Sequence, residues 1–171
     1  MMIRRATKED IPTILEIFND NILNSTAIYM YKEQTLEDRL QWFEEKQASD
    51  YPLFVFEDDG EVAGYATYGS FRAYPANQYT VEHSVYVHKN HYKKGIASKL
   101  MNAIIEEAKA KGVKTMVGCI DKENIASIKI HEKFGFLYSG TIRNAGYKFG
   151  KWLDLVFYQL DLDGPKIPQE K

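Results

Sequence analysis

The chain has 171 residues, of which 44% are hydrophobic and 27% charged, and its formal net charge is −2 at pH 7. This length and composition suit one globular domain with a sizeable core. The near-neutral charge gives no general reason to expect nucleic acid or a membrane as a partner. A single cysteine, Cys119, excludes an intramolecular disulfide. Without a signal-like apolar run at the start or a stretch of about 20 apolar residues, we expect a cytoplasmic protein.

Apolar periodicity, caps and turn residues predict the elements in chain order. Helices are expected to begin near Thr7 or Asp10, at Thr35 with Asp38 completing its cap, at Ile96, and at Asp121 or Asn124. The predicted strands cover residues 3–6, 53–57, 61–70, 79–87, 113–120, 136–142 and 152–162. Asp58-Asp59-Gly60 marks a hairpin between the second and third strands.

This order of elements predicts a mixed α/β (α+β) fold, with a central sheet of about seven strands and about four flanking helices. In the second half of the chain we expect crossover helices to join neighbouring strands. A single domain is expected over residues 1–163. The tail 164–171 contains two prolines, and we expect it to be frayed.

The most informative segment runs from Val85 to Met101, where an apolar strand leads through a basic loop into a helix. A helix N-terminus offers unpaired N–H groups and a partial positive charge, which suit phosphate. Gly95 has no Cβ, so a ligand can approach the backbone closely there. Positive charge comes from Lys89, Lys93, Lys94 and Lys99. The segment therefore predicts a site for a polyanionic cofactor.

The position and the sequence of this loop exclude two common nucleotide-binding motifs. A dinucleotide fold places its longer glycine fingerprint after the first strand, whereas this loop follows the fourth predicted strand. The Gly-x-x-x-x-Gly-Lys-Ser/Thr sequence of a phosphate-binding loop is absent from the chain.

The loop Tyr92-Lys93-Lys94-Gly95-Ile96-Ala97 resembles the (Arg/Gln)-x-x-Gly-x-(Gly/Ala) motif of the GCN5-related N-acetyltransferases, with Tyr92 in place of Arg or Gln. Asn124, Ser127 and the segment 131–136 resemble a second segment of that family. Residues 80–87 and 146–154 are similar to its phosphinothricin and methionine sulfoximine acetyltransferase branch. The resemblance covers nearly the whole chain. It implies the GNAT fold, acetyl-CoA as donor, a small amino-acid-like amine as acceptor, and a homodimer.

The resemblance implies Glu82 as the general base that removes a proton from the acceptor amine, directly or through one water. Strand alternation alone describes a solvent-facing glutamate equally well. The implied cofactor-binding residues are Val85, Tyr86, Val87, Lys93, Lys94, Gly95, Ile96, Ala97, Ser98, Asn124 and Lys133. For two of them a simpler role stays open, because Asn124 also suits a helix cap and Lys133 a solvated helix surface.

Acceptor recognition is expected to use a cation and aromatic walls. Arg72 can grip a carboxylate through two parallel hydrogen bonds, and Lys148 can add a second positive charge. Tyr74 is the wall residue that we assign to the acceptor. Further aromatic candidates are Tyr29, Tyr31, Phe71 and Tyr79, each of which equally suits the core or a dimer interface.

Three other reactive residue types have plainer interpretations. His131 stands where the family often has a tyrosine that protonates the leaving thiolate, but a thiolate with a pKa near 8.5 needs little help, so we expect a helix-surface or packed histidine. Cys119 lies in an apolar run and is expected to be a small buried hydrophobe, not a nucleophile. His83 and His88 fall in different elements without a complete ligand set, and we expect no metal.

The expected function is transfer of the acetyl group from acetyl-CoA to an acceptor of the phosphinothricin, methionine sulfoximine or methionine sulfone type, by direct attack in a ternary complex. Acetylation of a protein N-terminus, a polyamine or an aminoglycoside is the alternative within the family, although Arg72 and Lys148 favour an anionic acceptor. A non-catalytic acyl-CoA-binding sensor and a nucleotide-binding module are alternatives of another class.

Overall fold

The computed structural model describes all residues, Met1–Lys171. It contains seven strands hydrogen-bonded in the order β1-β2-β3-β4-β5-β7-β6, together with four α-helices, so the predicted mixed sheet is confirmed. The elements in chain order are β1 (Met2–Arg5), α1 (Ile11–Asn24), α2 (Leu36–Ala48), β2 (Leu53–Asp58), β3 (Glu61–Ser70), β4 (Thr80–Val87), α3 (Ile96–Ala110), β5 (Thr115–Asp121), α4 (Ile125–Lys133), β6 (Leu137–Lys148) and β7 (Lys151–Asp161). No helix combines the length and the apolar character that a membrane span requires.

The chain forms two compact units. The first unit comprises Met1–Asp20, Lys32–Gly69 and His83–Glu107, and the second comprises Asn21–Tyr31, Ser70–Glu82 and Ala108–Lys171. Strand β4 passes from the second unit into the first. That residues 1–163 behave as one domain stays a prediction.

The first unit is built on antiparallel pairing of β1 with β2 and of β2 with β3. Its α2 cap is the predicted one, since the Asp38 N–H donates to Thr35 Oγ1 at 3.1 Å and the Thr35 N–H donates to Asp38 Oδ2 at 2.9 Å. The hairpin turn between β2 and β3 uses positive φ angles at Asp59 and Gly60. The buried core consists of Ile11, Ile14, Ile17, Phe43, Leu53, Val55 and Tyr65.

Two cationic side chains lie inside this unit. Arg39 is 5% exposed, and its guanidinium carbon lies 3.9 Å from the ring centre of Phe18 and 4.1 Å from that of Trp42. The Lys46 Nζ donates to the Tyr68 carbonyl at 3.0 Å. Burial, with a smaller contribution from the Arg39 charge, lowers the pKa of Lys46 to about 8.

The second unit combines parallel and antiparallel pairs. The start of β4 pairs in parallel with β5 from Thr80↔Thr115 to Glu82↔Val117. Strand β7 pairs antiparallel with both β5 and β6, and therefore lies between them. The expectation that crossover helices join neighbouring strands is correct for α3 and wrong for α4. The β6–β7 hairpin places its second strand, not its first, beside β5.

Strand β6 is longer than predicted, since it continues past residue 142 to Lys148. Its pairing with β7 shifts register between Tyr138 and Gly140 and again between Ile142 and Gly146. Such bulges interrupt the two-residue alternation by which a strand is recognised in sequence, so the second half of β6 carries no clear strand pattern. The tail after β7 has no helix or strand, and the Gln169 N–H donates to Tyr79 Oη at 2.8 Å.

We expect the free energy of unfolding to rise with pH above about pH 8 because of Lys46. The folded protein releases the Lys46 proton near 8, whereas the unfolded chain keeps it up to the ordinary value of 10.5. Between these values the unfolded state binds more protons, so stability increases with pH, by at most about 1.4 kcal/mol per pH unit. Urea unfolding measured across this range should show the rise in the wild type and its loss in Lys46→Met.

The exposed Lys129→Met variant is the control, and its slope should match that of the wild type. An unchanged slope in Lys46→Met would contradict the assignment.

Candidate active site

The loop between β4 and α3 turns through two left-handed residues, Lys93 with φ 64° and Gly95 with φ 74°. Glycine adopts this conformation without steric cost, whereas a side chain at position 95 would strain it. A Cβ placed on Gly95 would meet no atom within 4 Å. The backbone conformation, not crowding, therefore requires glycine here, and the space beside it is open.

Helix α3 begins directly after this turn with free backbone donors. Its first hydrogen bond joins the Lys99 N–H to the Gly95 carbonyl at 3.3 Å. The N–H groups of Ile96, Ala97 and Ser98 precede that bond and have no acceptor one turn earlier in the helix. Such a helix start binds anions through its N–H groups and its dipole.

Acidic neighbours compensate part of the positive charge of this loop. Lys94 Nζ lies 3.4 Å from Asp58 Oδ2, and His91 Nδ1 lies 3.5 Å from the same oxygen. Lys89 Nζ lies 4.0 Å from Asp20 Oδ1. The β2–β3 hairpin thus holds Lys94 beside the start of α3, at an exposed position.

Strand β4 carries the predicted base and the predicted thioester-binding residues. The Tyr86 ring lies 5.4 Å from the Tyr65 ring, so it faces the core of the first unit. By alternation along the strand, Glu82 projects from the same face of β4 as Tyr86. Glu82, Val85 and Val87 are half-buried.

The Cys119 thiol lies beside the Glu82 carboxylate in the second unit. Glu82 pairs with Val117, and Cys119 follows two residues later on the same face of β5. Burial, then the negative charge of Glu82 and a hydrogen bond to it, raise the pKa of Cys119 well above its ordinary range. Cys119 is therefore held as a neutral thiol, which is a poor nucleophile.

Lys148, a predicted acceptor-binding residue, lies at the end of β6 and is only 4% exposed. Its Nζ donates to the carbonyl of Ser25 at 2.6 Å and to that of Ile28 at 2.7 Å. Burial lowers its pKa. Two of its three N–H donors thus hold the segment that follows α1, and one remains. Contact with an acceptor stays a prediction.

The same segment is held from β5 by Asp121, which sequence reasoning considered only as a helix cap. Tyr29 Oη donates to Asp121 Oδ1 and Thr26 Oγ1 to Oδ2, both at 2.8 Å, and Asp121 is 3% exposed. Burial and this carboxylate hold the pKa of Tyr29 well above its ordinary range. In the sequence, only the position of this carboxylate at the end of a buried strand pointed to a structural role. Its partners could not be predicted, because they lie more than 90 residues away in sequence.

The other predicted acceptor residues lie on the surface of the second unit. The Arg72 guanidinium lies 5.1 Å from the ring centre of Tyr74, and Tyr74 is 63% exposed. This arrangement leaves the donors of the guanidinium available to a carboxylate.

Helix α4 and its cap contain the remaining candidates. The Asn124 side chain caps the helix by accepting the Ser127 N–H at 3.2 Å, and its binding of the cofactor stays a prediction. His131 is buried, its Nδ1 lies 2.6 Å from the Ser127 carbonyl, and burial lowers its pKa. His131 is therefore the packed histidine of the two expected arrangements, and the absence of a catalytic role stays a prediction. Lys133 is exposed.

Residues 3–157 match the acetyltransferase (GNAT) domain family model, so the chain belongs to the GNAT acetyltransferase family. The chain is 43% identical over 168 residues to an L-methionine sulfoximine/L-methionine sulfone acetyltransferase of Salmonella typhimurium, with 98% of each chain covered. It is 36% identical over 167 residues to a phosphinothricin N-acetyltransferase of Streptomyces viridochromogenes, covering 98% of this chain and 91% of the relative. The predicted family and branch are thereby confirmed.

A solved structure supports the fold independently. The acetyltransferase yncA of Salmonella typhimurium, determined with its cofactor acetyl-CoA, superposes with a TM-score of 0.95 at 43% identity. The match covers 99% of this chain and 98% of that one. The predicted GNAT fold is confirmed.

We expect Lys148→Met to lower the free energy of unfolding by about 2–4 kcal/mol, because the carbonyls of Ser25 and Ile28 lose a buried donor. Lys151→Met is the matched control at the start of β7. Lys151 forms an exposed ion pair with Glu123, and its loss should cost no more than about 1 kcal/mol. Urea unfolding of both variants measures the difference. An equal decrease in the free energy of unfolding would contradict the inference that Lys148 stabilises the segment after α1.

Proposed function

We propose that the protein transfers the acetyl group of acetyl-CoA to the amine of a small amino-acid-like acceptor of the methionine sulfoximine, methionine sulfone or phosphinothricin type. The observation that carries this proposal is the 43% identity, over 98% of both chains, to an enzyme named for methionine sulfoximine and methionine sulfone. The relative named for phosphinothricin supports the same class of acceptor.

The proposed cofactor residues fit the groups of coenzyme A. The N–H groups of Ile96, Ala97 and Ser98, together with Lys93, Lys94 and Gly95, would hold the pyrophosphate. The backbone of Val85, Tyr86 and Val87 would bind the pantetheine arm. The amide of Asn124 and the exposed ammonium of Lys133 would add contacts to the arm and to a phosphate. When bound, acetyl-CoA supplies the activated acetyl thioester.

Glu82 is the proposed general base. The acceptor amine has an ordinary pKa of about 7.7–8.0, so much of it is protonated near neutral pH and cannot attack. The Glu82 carboxylate takes one proton, directly or through a water, and the neutral amine then attacks the thioester carbonyl. As the C–N bond replaces the C–S bond, the second proton that the nitrogen loses goes to the leaving thiolate. The leaving thiolate, with a pKa near 8.5, needs no dedicated acid. Because Cys119 is held as a thiol, we propose direct transfer without an acetyl-cysteine.

Arg72, Tyr74 and Lys148 are the proposed acceptor-binding residues. The exposed guanidinium of Arg72 suits a carboxylate, and the third N–H of Lys148 suits another anionic oxygen. Both charges disfavour a polyamine or an aminoglycoside, which are cationic. We also propose a cytoplasmic enzyme without a nucleic-acid or membrane partner, since its formal charge is only −2.

We further propose that the enzyme is a homodimer. Large aromatic side chains are exposed together around the β6–β7 hairpin, where the Tyr147 and Trp152 rings lie 5.1 Å apart and the Tyr31 hydroxyl donates to the Tyr147 carbonyl. Tyr31 is 72%, Phe149 57% and Trp152 65% exposed. Exposed aromatic patches of this kind are typical of interfaces.

Light scattering of the wild type should therefore give twice the chain mass of 19.8 kDa. Trp152→Asp should shift the protein toward the monomer, because a charge in an apolar interface loses its hydration. Ile167→Asp, at a 78% exposed tail position, is the control and should leave the mass unchanged. A monomeric wild type at assay concentration would refute the dimer.

Incubation with acetyl-CoA and a panel of amines tests the activity. Release of free CoA should be seen with methionine sulfoximine, methionine sulfone or phosphinothricin, and should stay at background with spermidine and an aminoglycoside. Binding of acetyl-CoA without turnover on any amine would favour the sensor, and turnover confined to the cationic amines would overturn the proposed acceptor class.

The same assay tests the base. Glu82→Gln keeps the shape of the side chain but cannot accept the proton, so kcat/KM near neutral pH should fall by about 10²–10⁴-fold while the Kd for acetyl-CoA stays within about twofold. An unchanged kcat/KM across the pH range would remove Glu82 from this role.

A further inference from the structure

Strand β3 contains a glycine that backbone conformation does not explain. Gly64 lies in the middle of the strand without a positive φ, so any residue could adopt its conformation. A Cβ at this position would nevertheless lie 2.8 Å from the Tyr86 carbonyl oxygen, 3.1 Å from Leu100 Cδ1 and 3.3 Å from Ile96 Cγ2. Space alone therefore requires glycine here.

The three atoms that approach Gly64 come from two elements. The Tyr86 carbonyl belongs to β4, and the His88 N–H, directly after that strand, donates to the Ala63 carbonyl in β3 at 2.8 Å. Ile96 is the first residue of α3, and Leu100 lies one turn later. Gly64 is thus the point where β3 contacts both the end of β4 and the start of α3.

We propose that Gly64 is a positioning residue for acetyl-CoA, whose missing side chain sets the spacing between the Tyr86 carbonyl in β4 and the first turn of α3. The inference rests on the proposed function, which assigns the pantetheine arm to residues 85–87 and the pyrophosphate to the start of α3. In this proposal Gly64 contacts neither the pantetheine arm nor the pyrophosphate. It acts through the end of β4 and the start of α3.

Rotating side chains is not enough to make room for a Cβ at Gly64, because one of the atoms that approach it is a backbone oxygen. The Tyr86 oxygen belongs to the backbone, so at 2.8 Å the strand itself must shift. Leu100 is 0% and Ile96 2% exposed, and a close-packed core transmits added volume as displacement. A shift of a few tenths of an ångström weakens several cofactor hydrogen bonds together, because their strength depends on distance and angle.

The same strand provides a matched control. A Cβ at Gly69 would lie 3.5 Å from Lys46 Nζ, an ordinary contact with the mobile end of a side chain. Gly69→Ala adds the same methyl group to the same strand without approaching β4 or α3.

The experiment compares Gly64→Ala and Gly69→Ala in full-length protein. In Gly64→Ala the calorimetric Kd and the KM for acetyl-CoA should rise about tenfold, in line with the usual cost of overpacking. The acceptor KM and kcat at saturating acetyl-CoA should stay within about twofold of the wild type, and Gly69→Ala should match the wild type throughout. A merely structural role would lower the thermal midpoint without changing the acetyl-CoA Kd of the folded protein.

A folded Gly64→Ala variant with the wild-type Kd for acetyl-CoA would overturn the proposal. If Gly64→Ala does not fold, Gly64→Ala/Leu100→Ala removes the contact with Leu100 and is compared with Leu100→Ala alone. A weaker acetyl-CoA Kd in the double variant supports the proposal, and equal values overturn it. Failure of the wild type to bind acetyl-CoA would instead overturn the proposed function.

Discussion

The backbone of strand β4 is the constraint on which the proposed chemistry depends. Its first residues, Thr80 to Glu82, pair with β5 in the second unit, and its remaining residues belong to the first unit. One strand therefore carries the candidate base at the end of its paired stretch and the proposed thioester-binding residues from Val85 onward, three positions later. Because a strand rises only about 3.3 Å per residue, the candidate base and the proposed thioester-binding residues are separated by only a few positions along one strand.

The buried side chains of Lys148 and Asp121 bond to carbonyls and hydroxyls, not to groups of opposite charge. Lys148 donates to two carbonyls, and Asp121 accepts from two hydroxyls, all within the segment 25–29. Both charges are nearly inaccessible to water, so each hydrogen bond is costly to lose. These contacts give the segment after α1 a defined conformation, although it contains neither helix nor strand.

Local patterns predicted much of this fold. Three local features depend on residues only a few positions apart, and all three are present in the structure: the capping box of Thr35 and Asp38, the Asp59-Gly60 turn and the periodicity of α3. The glycine loop and the family motifs also identified the candidate site. Long-range features could not be predicted in the same way: the insertion of β7 between β5 and β6, and the contacts of Lys148 with residues 120 and 123 positions away. The requirement for glycine at position 64 could not be predicted either, because it depends on the Tyr86 carbonyl oxygen of a neighbouring strand.

The irregularities of β6 have a consequence for how copies of the chain can meet. This strand is the outermost of the sheet next to β7, and an outer strand leaves backbone N–H and C=O groups free to recruit another chain. Two register shifts and the left-handed Asn144 break the straight run of donors and acceptors that such recruitment needs. The enzyme can thus expose a long outer strand without offering a template for open-ended fibre growth, and the proposed dimer would depend on the side chains of the hairpin, not on strand pairing.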